Sequence, residues 1–213
     1  MKGRKEFGFF EGLHALEYLL SDPPDGIMLA IAGGSCSGKS FLAAVLRQNL
    51  LNRGMDVSVL PLDNFFKDKD DPDIPRDSAG RKLFDVPDSY RHCLFRLCAE
   101  QLSSGMDVYI PDYRKATNSI LSDRGEKIKH CPRRIAEGLF VIDFLRDLGG
   151  SKVSVFVDTP EETRLARRVR RDNERFGASE ARVVEFWETR VKPNYASYVE
   201  PQRKKADFII RGG

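Results

Sequence analysis

The chain holds 213 residues, with 35 Lys+Arg against 32 Asp+Glu, a formal charge of +3, and 41% hydrophobic residues. That length suits one domain, or one domain with a small appendage, and the apolar share is enough for a core, which argues against wholesale disorder. No run approaches 18 uninterrupted apolar residues, so no membrane span is expected.

Four cysteines (Cys36, Cys93, Cys98, Cys131) are too scattered for a disulfide framework, and no pair has zinc-ligand spacing. His14, His92 and His130 show no metal spacing either. The basic start is followed by a stretch carrying Glu11, His14 and Glu17, without a small-residue cleavage site. A secretory signal is therefore not expected, and the chain reads as cytoplasmic.

In chain order, residues 7–20 place Phe9, Phe10, Leu13, Leu16, Leu19 and Leu20 at helical spacing. Residues 21–26 break that helix, dividing the chain into an N-terminal helix and linker (1–26) and a main domain (27–213). From residue 27, short apolar runs at 27–32, 57–62 and 153–157 alternate with helical patterns at about 39–52, 88–103, 160–176 and 179–199. This rhythm predicts an α/β fold, a mostly parallel sheet flanked by helices, with ligands at the carboxyl ends of the strands. Residues 64–87 are charged and interrupted by prolines, and read as a mobile loop. Residues 107–130 read as a small β-hairpin in which Val108-Tyr109-Ile110 and Lys127-Ile128-Lys129 flank a turn-rich middle.

After the first apolar run comes Gly33-Gly34-Ser35-Cys36-Ser37-Gly38-Lys39-Ser40, which fits G-x-x-x-x-G-K-[ST]. Small residues there let consecutive backbone N–H groups turn inward around phosphate oxygens, and a helix N-terminus adds positive potential. Lys39 supplies a point charge to the outer phosphates and the Ser40 hydroxyl a magnesium ligand. A flexible glycine turn would explain the residues but not their setting, between an apolar strand and an amphipathic helix. The loop predicts binding of a nucleoside triphosphate, with Phe41 just beyond it at the nucleotide.

Two acidic residues fall where such a site needs them. Asp63 ends the second apolar run, at the carboxyl edge beside the phosphates, where a carboxylate accepts a proton from a hydroxyl or holds a magnesium-bound water. Glu137 ends a further short strand candidate and offers a second carboxylate to the metal. On the 160–176 helix, Arg164, Arg168, Arg171 and Arg175 share one face, with Leu165, Val169 and Phe176 on another. The stripe suits a closing lid at about 160–178 that neutralises a transferring phosphoryl group, or alternatively nucleic-acid phosphate. A net charge of only +3 and the absence of a nucleic-acid-binding motif favour the lid.

The elements together resemble the uridine kinase group of the phosphoribulokinase/uridine kinase family, P-loop kinases, from about residue 27 to 213. The resemblance is carried by the phosphate loop, Asp63-Asn64-Phe65-Phe66, Phe84-Asp85-Val86-Pro87-Asp88, Ile110-Pro111-Asp112-Tyr113 and Glu137-Gly138. It continues through Phe156-Val157-Asp158-Thr159, Thr163-Arg164-Leu165-Ala166-Arg167-Arg168, Val191-Lys192-Pro193 and Ala206-Asp207-Phe208-Ile209-Ile210. It implies ATP-dependent phosphorylation of a ribose 5′-hydroxyl, with Asp63 as base, Ser40 and Glu137 (with Asp63 nearby) around Mg2+, and Arg168 and Arg171 in the lid. Arg175 would join Arg171 at the ATP, and Arg168 would also reach the acceptor. Asp85 would hold the sugar hydroxyls, which suits a carboxylate facing a vicinal diol, while Phe84 and Tyr113 would line the acceptor pocket. A homo-oligomer is compatible with the resemblance; nucleic acid and membrane are not expected as partners.

The departures from the family pattern fall at the base-reading edge (115, 118, 178 and 186) and at the end of the Asp63–Phe66 element. Asn118 stands where uridine kinases carry a histidine, Lys115 replaces a stacking aromatic, and Phe66 replaces a tyrosine. Ala178 and Phe186 replace an arginine and a glutamine. The phosphate and sugar machinery is kept while base readout is replaced, so the acceptor stays open between a nucleoside-like molecule, another sugar or sugar phosphate, and a vitamin-like alcohol. A nucleotide-responsive binding protein without acceptor chemistry is the competing class.

Overall fold

A computed structural model describes residues 5–23 and 26–212. The central sheet has six strands, all parallel: β1 (Lys5–Phe7), β2 (Ile27–Gly33), β3 (Ser58–Pro61), β6 (Arg133–Glu137), β7 (Lys152–Asp158) and β8 (Phe208–Arg211), in the order β1-β8-β7-β2-β6-β3. The other two strands, β4 (Val108–Arg114) and β5 (Ser119–Ile128), form a separate antiparallel hairpin. The helices are α1 (Phe9–Ser21), α2 (Lys39–Asn52), α3 (His92–Ser103), the short α4 (Val141–Phe144), α5 (Glu161–Phe176) and α6 (Glu180–Phe186). α6 runs on to residue 203 through alternating π and α turns.

β2 is buried along its whole length, which is why it reads as an unbroken apolar run rather than an alternating one. Its pleat still sorts side chains to two cores. Ile27, Leu29 and Ile31 pack with Leu13, Leu16 and Leu20 of α1 and Leu42, Leu46 and Leu50 of α2. Met28, Ala30 and Ala32 share the opposite core with Phe95 and Leu102 of α3 and Phe140. The expected doubly covered α/β sheet is what forms.

Several local expectations change. β1 was not legible in the sequence: it pairs in parallel with β8, and α1 behind it packs on the same sheet, with Glu17 accepting a hydrogen bond from Asn49 of α2 (2.5 Å). Of the expected linker, Pro24 and Asp25 lie outside the described residues. The hairpin's middle is strand rather than turn, because β4 and β5 pair across most of their length and leave only residues 115–118 to turn. Residues 64–87 are pinned rather than free. Asp77 accepts from the backbone N–H groups of Ala79 and Arg81 and from the guanidinium of Arg190 at 3.1 Å, which ties this segment to the stretch after α6.

Candidate active site

The phosphate loop leaves the centre of the sheet at the carboxyl end of β2 and enters α2. Its path needs left-handed backbone at Cys36 (φ 60°) and Gly38 (φ +100°), and the second is where glycine removes the steric cost. The loop is braced from outside. Thr159, after β7, donates its hydroxyl to the Ser37 carbonyl at 2.7 Å, and the buried Lys39 ammonium lies 3.4 Å from the Gly34 carbonyl.

Both predicted acidic residues arrive at this loop, one from each of two neighbouring strands. Glu137 is the last residue of β6, and its carboxylate accepts a hydrogen bond from the Ser40 hydroxyl at 2.9 Å. Asp63 lies in a 3-10 turn (Leu62–Phe65) directly after β3, and Asn64 in the same turn donates to the Pro111 carbonyl of β4 at 2.9 Å. The turn and the β6 exit are in close contact: a Cβ on Gly138 would lie 2.4 Å from that of Leu62. A larger residue at 138 would push the two acidic residues apart.

Their electrostatics differ. Burial pushes the Glu137 carboxyl up, and nearby Asp63 adds to this, so together they outweigh Lys39 and the Ser40 hydrogen bond. Burial also acts upward on Asp63, but Lys115, Lys39 and Arg171 together hold it below the ordinary carboxylate range. The closest of these partners is Lys115, from the β4–β5 turn, whose ammonium is ion-paired with the Asp63 carboxylate. Sequence reasoning noted Lys115 as a departure from the family pattern; that it pairs with Asp63, 52 residues away, only the fold reveals.

α5 crosses the loop from the other side. Arg168 donates to the Ser35 hydroxyl (3.1 Å) and to Asp172 (3.1 Å), Arg167 donates to the Cys36 carbonyl (3.4 Å), and Arg171 pairs with Asp172. The expected four-arginine stripe divides here. Arg164 is only 4% exposed; it lies 4.0 Å above the Tyr195 ring with Trp187 at 5.3 Å, and its Nε donates to the Thr159 carbonyl. It belongs to the support of the loop, not to its open face. Arg167, which lies off the stripe and had no role assigned to it within the Thr163–Arg168 motif, takes a place on that face.

These groups line one cavity of about 1080 Å³. Residues 35 to 41 form one wall, and Asp63, Asp85, Glu137, Arg168, Arg171 and Arg175 also face it. Gly33 and Gly34 lie beneath, as the loop's entry. The side near Asp63 is aromatic: Phe66 stacks on Tyr90 with centroids 4.0 Å apart, and Phe84 and Tyr113 flank it at 6.3 and 5.2 Å. Burial, helped by Asp63, raises the Tyr113 phenol, which keeps its proton and donates to Asn118 at 3.0 Å. All the acceptor residues expected from sequence therefore meet here, together with Phe66 and Tyr90, which were not assigned to the pocket.

The donor set at Ser40, Glu137 and Asp63 is oxygen only. Among the described residues no cluster of three or more His, Cys, Asp or Glu side chains forms a metal cage. That combination fits Mg2+, which is held by one or two carboxylates plus substrate phosphates rather than by an all-protein shell. No helix among the described residues is long and apolar enough to cross a membrane.

Comparison with known proteins agrees with this geometry. The profile of the Phosphoribulokinase / Uridine kinase family matches residues 28–213. Uridine kinase of Mycoplasma pneumoniae is 36% identical over 195 residues, covering 89% of this chain and 86% of that protein. Uridine kinase of Tolumonas auensis is 32% identical over 197 residues, covering 89% of each. Among solved structures, a candidate fructose transport system kinase from Silicibacter sp. TM1040 superposes with a TM-score of 0.76 at 22% identity, covering 95% of this chain and 98% of that one. D-glycerate 3-kinase from Cryptococcus neoformans has a TM-score of 0.55 at 15% identity, covering 88% and 84%. A phosphate loop, two carboxylates and a crossing arginine helix on one parallel sheet, with a family match over nearly the whole chain, lead to one statement: this chain is a P-loop kinase of the phosphoribulokinase/uridine kinase family.

Proposed function

We propose that the protein is a cytoplasmic Mg-ATP-dependent kinase that transfers the γ-phosphoryl group to a hydroxyl of a small, nucleoside-like acceptor. The observation that carries this reading is the meeting of Asp63, the Ser40–Glu137 pair, Lys39 and the α5 arginines around one cavity. ATP would lie with its phosphates on residues 33–40, and Ser40 and Glu137, with Asp63 nearby, would hold a Mg2+ ion, which supplies charge neutralisation to the phosphates when bound. Asp85 binds acceptor hydroxyls against the Phe84 and Tyr113 wall. The acceptor oxygen bonds to the γ-phosphorus as the bond to the β–γ bridging oxygen breaks, and ADP leaves. The hydroxyl proton passes to Asp63. Because that carboxylate is held below its ordinary range, it is a weak base whose main work is orientation, which suits a loose phosphoryl-transfer transition state. Lys39, Arg168 and Arg171 stabilise the charge on the transferring group.

A second reading of the acceptor is favoured by one observation, the Lys115 ammonium on Asp63. An acceptor bearing a carboxylate or phosphate near its reacting hydroxyl would draw Lys115 to itself and release the base. The test is ADP release with Mg-ATP across uridine, cytidine, other nucleosides, ribose, pentose phosphates, and the matched pairs pantothenol/pantothenate and glycerol/glycerate. Acceptor-dependent turnover supports the kinase, and its preference within each matched pair decides between the readings. ATP binding without acceptor-dependent turnover would favour a nucleotide-responsive binding protein.

A further inference from the structure

The three exposed phenylalanines among the described residues are Phe10 (75%), Phe41 (63%) and Phe176 (57%), and all three face the cavity that holds the phosphate loop. A single exposed aromatic needs no explanation, but three lining one cavity do, and Phe10 and Phe41 are joined through Phe9 into a patch. Their arrangement is ordered. Phe9 stacks against Phe41 with centroids 5.8 Å apart and an interplanar angle of 26°, and Phe10 meets Phe9 edge-on at 5.7 Å and 88°.

The position of the patch follows from the strand order. The loop leaves β2, near the middle of the sheet. The groups placed at the reacting phosphate, Asp63 and Glu137, follow β3 and β6 on one side of β2. Phe9 and Phe10 open α1, just after β1, and the cavity also reaches Gly212 after β8; both strands lie on the other side of β2. Phe41 stands between, in the first turn of α2. A triphosphate laid along the loop with its terminal phosphate toward Asp63 therefore directs its other end to the aromatic patch.

We infer that Phe9, Phe10 and Phe41 form a stacking wall for the purine base of the donor nucleotide, so that the N-terminal segment completes the nucleotide site. The inference rests on the donor reading given above, and adds a part of the chain that precedes the 28–213 family match. Aromatic rings recognise a base through its π-face and add affinity without touching the phosphates, so they act on the base independently of the loop.

The test titrates Mg-ATP and base-free Mg-tripolyphosphate into the full-length protein by calorimetry, for wild type, Phe10→Ala, Phe10→Leu and Phe41→Ala. Stacking contributions of the usual size weaken ATP by about tenfold in each alanine variant and leave tripolyphosphate unchanged. Phe10→Leu, which keeps an apolar side chain, also loses affinity for ATP. Phe10 is largely exposed, so its variants should melt with the wild type, and a thermal scan checks this. Unchanged ATP affinity, or equal loss for ATP and tripolyphosphate, overturns the wall. So does a change of oligomeric state with ATP affinity intact, which would make the patch a contact between copies of the chain. Base-dependent ATP binding without any acceptor turnover would instead leave the wall standing and remove the kinase reading.

Discussion

Replacing Arg164 with alanine is expected to cost about 3 kcal/mol of stability, whereas the same change at Arg170, six residues along the same helix, should be nearly silent. Arg164 is 4% exposed, stacks on Tyr195 with Trp187 nearby, and donates to the buried Thr159 carbonyl. A hydrogen bond from a charged donor contributes about 1.5–3 kcal/mol and a desolvated cation–π contact about 2 kcal/mol. Relief of the guanidinium's desolvation cost offsets part of their sum, leaving about 3 kcal/mol. Arg170 is 82% exposed and pairs only with Glu174 across one helical turn, a contact of about 0.3–0.5 kcal/mol. Urea unfolding of both variants, with slopes compared to the wild type, measures the difference. Arg164→Lys should fall between, because an ammonium keeps the charge but loses the flat surface that lies on the ring. Thr159 also donates to the Ser37 carbonyl, so Arg164→Ala should weaken ATP binding as well. A loss below about 1 kcal/mol, or no larger than that of Arg170→Ala, would refute the assignment of Arg164 to the support of the loop.

Three further outcomes follow from the acidic pair. Ionising Glu137 in the fold opposes its burial, so its raised pKa means a stability cost that grows as pH rises through the carboxylate range. Glu137→Gln should therefore melt at the same or a higher temperature without ligand at neutral pH, while the Mg2+ needed for half-maximal turnover rises about tenfold. A lower melting temperature with an unchanged Mg2+ requirement would contradict this. Asp63 has the opposite sign: its lowered pKa keeps it ionised, and the Lys115 pair intact, until pH falls below the ordinary carboxylate range. The acid limb of kcat/KM should lie low in the wild type and move to higher pH in Lys115→Met, where burial is less opposed; an unmoved limb would detach Lys115 from the base. In the same variant, acceptors carrying an acidic group should lose more kcat/KM than their neutral counterparts if Lys115 reads that group.

The readable parts of the sequence were those whose signal is local. The loop carries its glycines, lysine and serine in eight consecutive residues, and Glu137 closes a strand while Asp63 follows one by two residues, so strand reading placed both at the same sheet edge. β1 escaped notice because three residues, Lys5–Phe7, cannot show a period, and two of them are exposed. β5 is polar and mostly exposed, so its composition marks a strand only near its buried Ile128 end; its partner β4 supplies the rest of the pattern. The arginine stripe shows the other limit. Angular position on α5 groups Arg164 with Arg168 and Arg171, but which is buried depends on Trp187 and Tyr195, more than twenty residues away. The Lys115–Asp63 pair and the aromatic rim at Phe9, Phe10 and Phe41 likewise join segments that no spacing rule connects.

The central claim is that Asp63 serves acceptor phosphorylation on a site that binds ATP independently of it. The direct measurement is acceptor-dependent ADP release by Asp63→Asn beside its affinity for Mg-ATP. Turnover is expected to fall by at least about a hundredfold, the size of loss that follows when a hydroxyl loses the group that both orients it and takes its proton, while ATP affinity stays within a few-fold of the wild type. Acceptor-dependent turnover that survives in Asp63→Asn would contradict it.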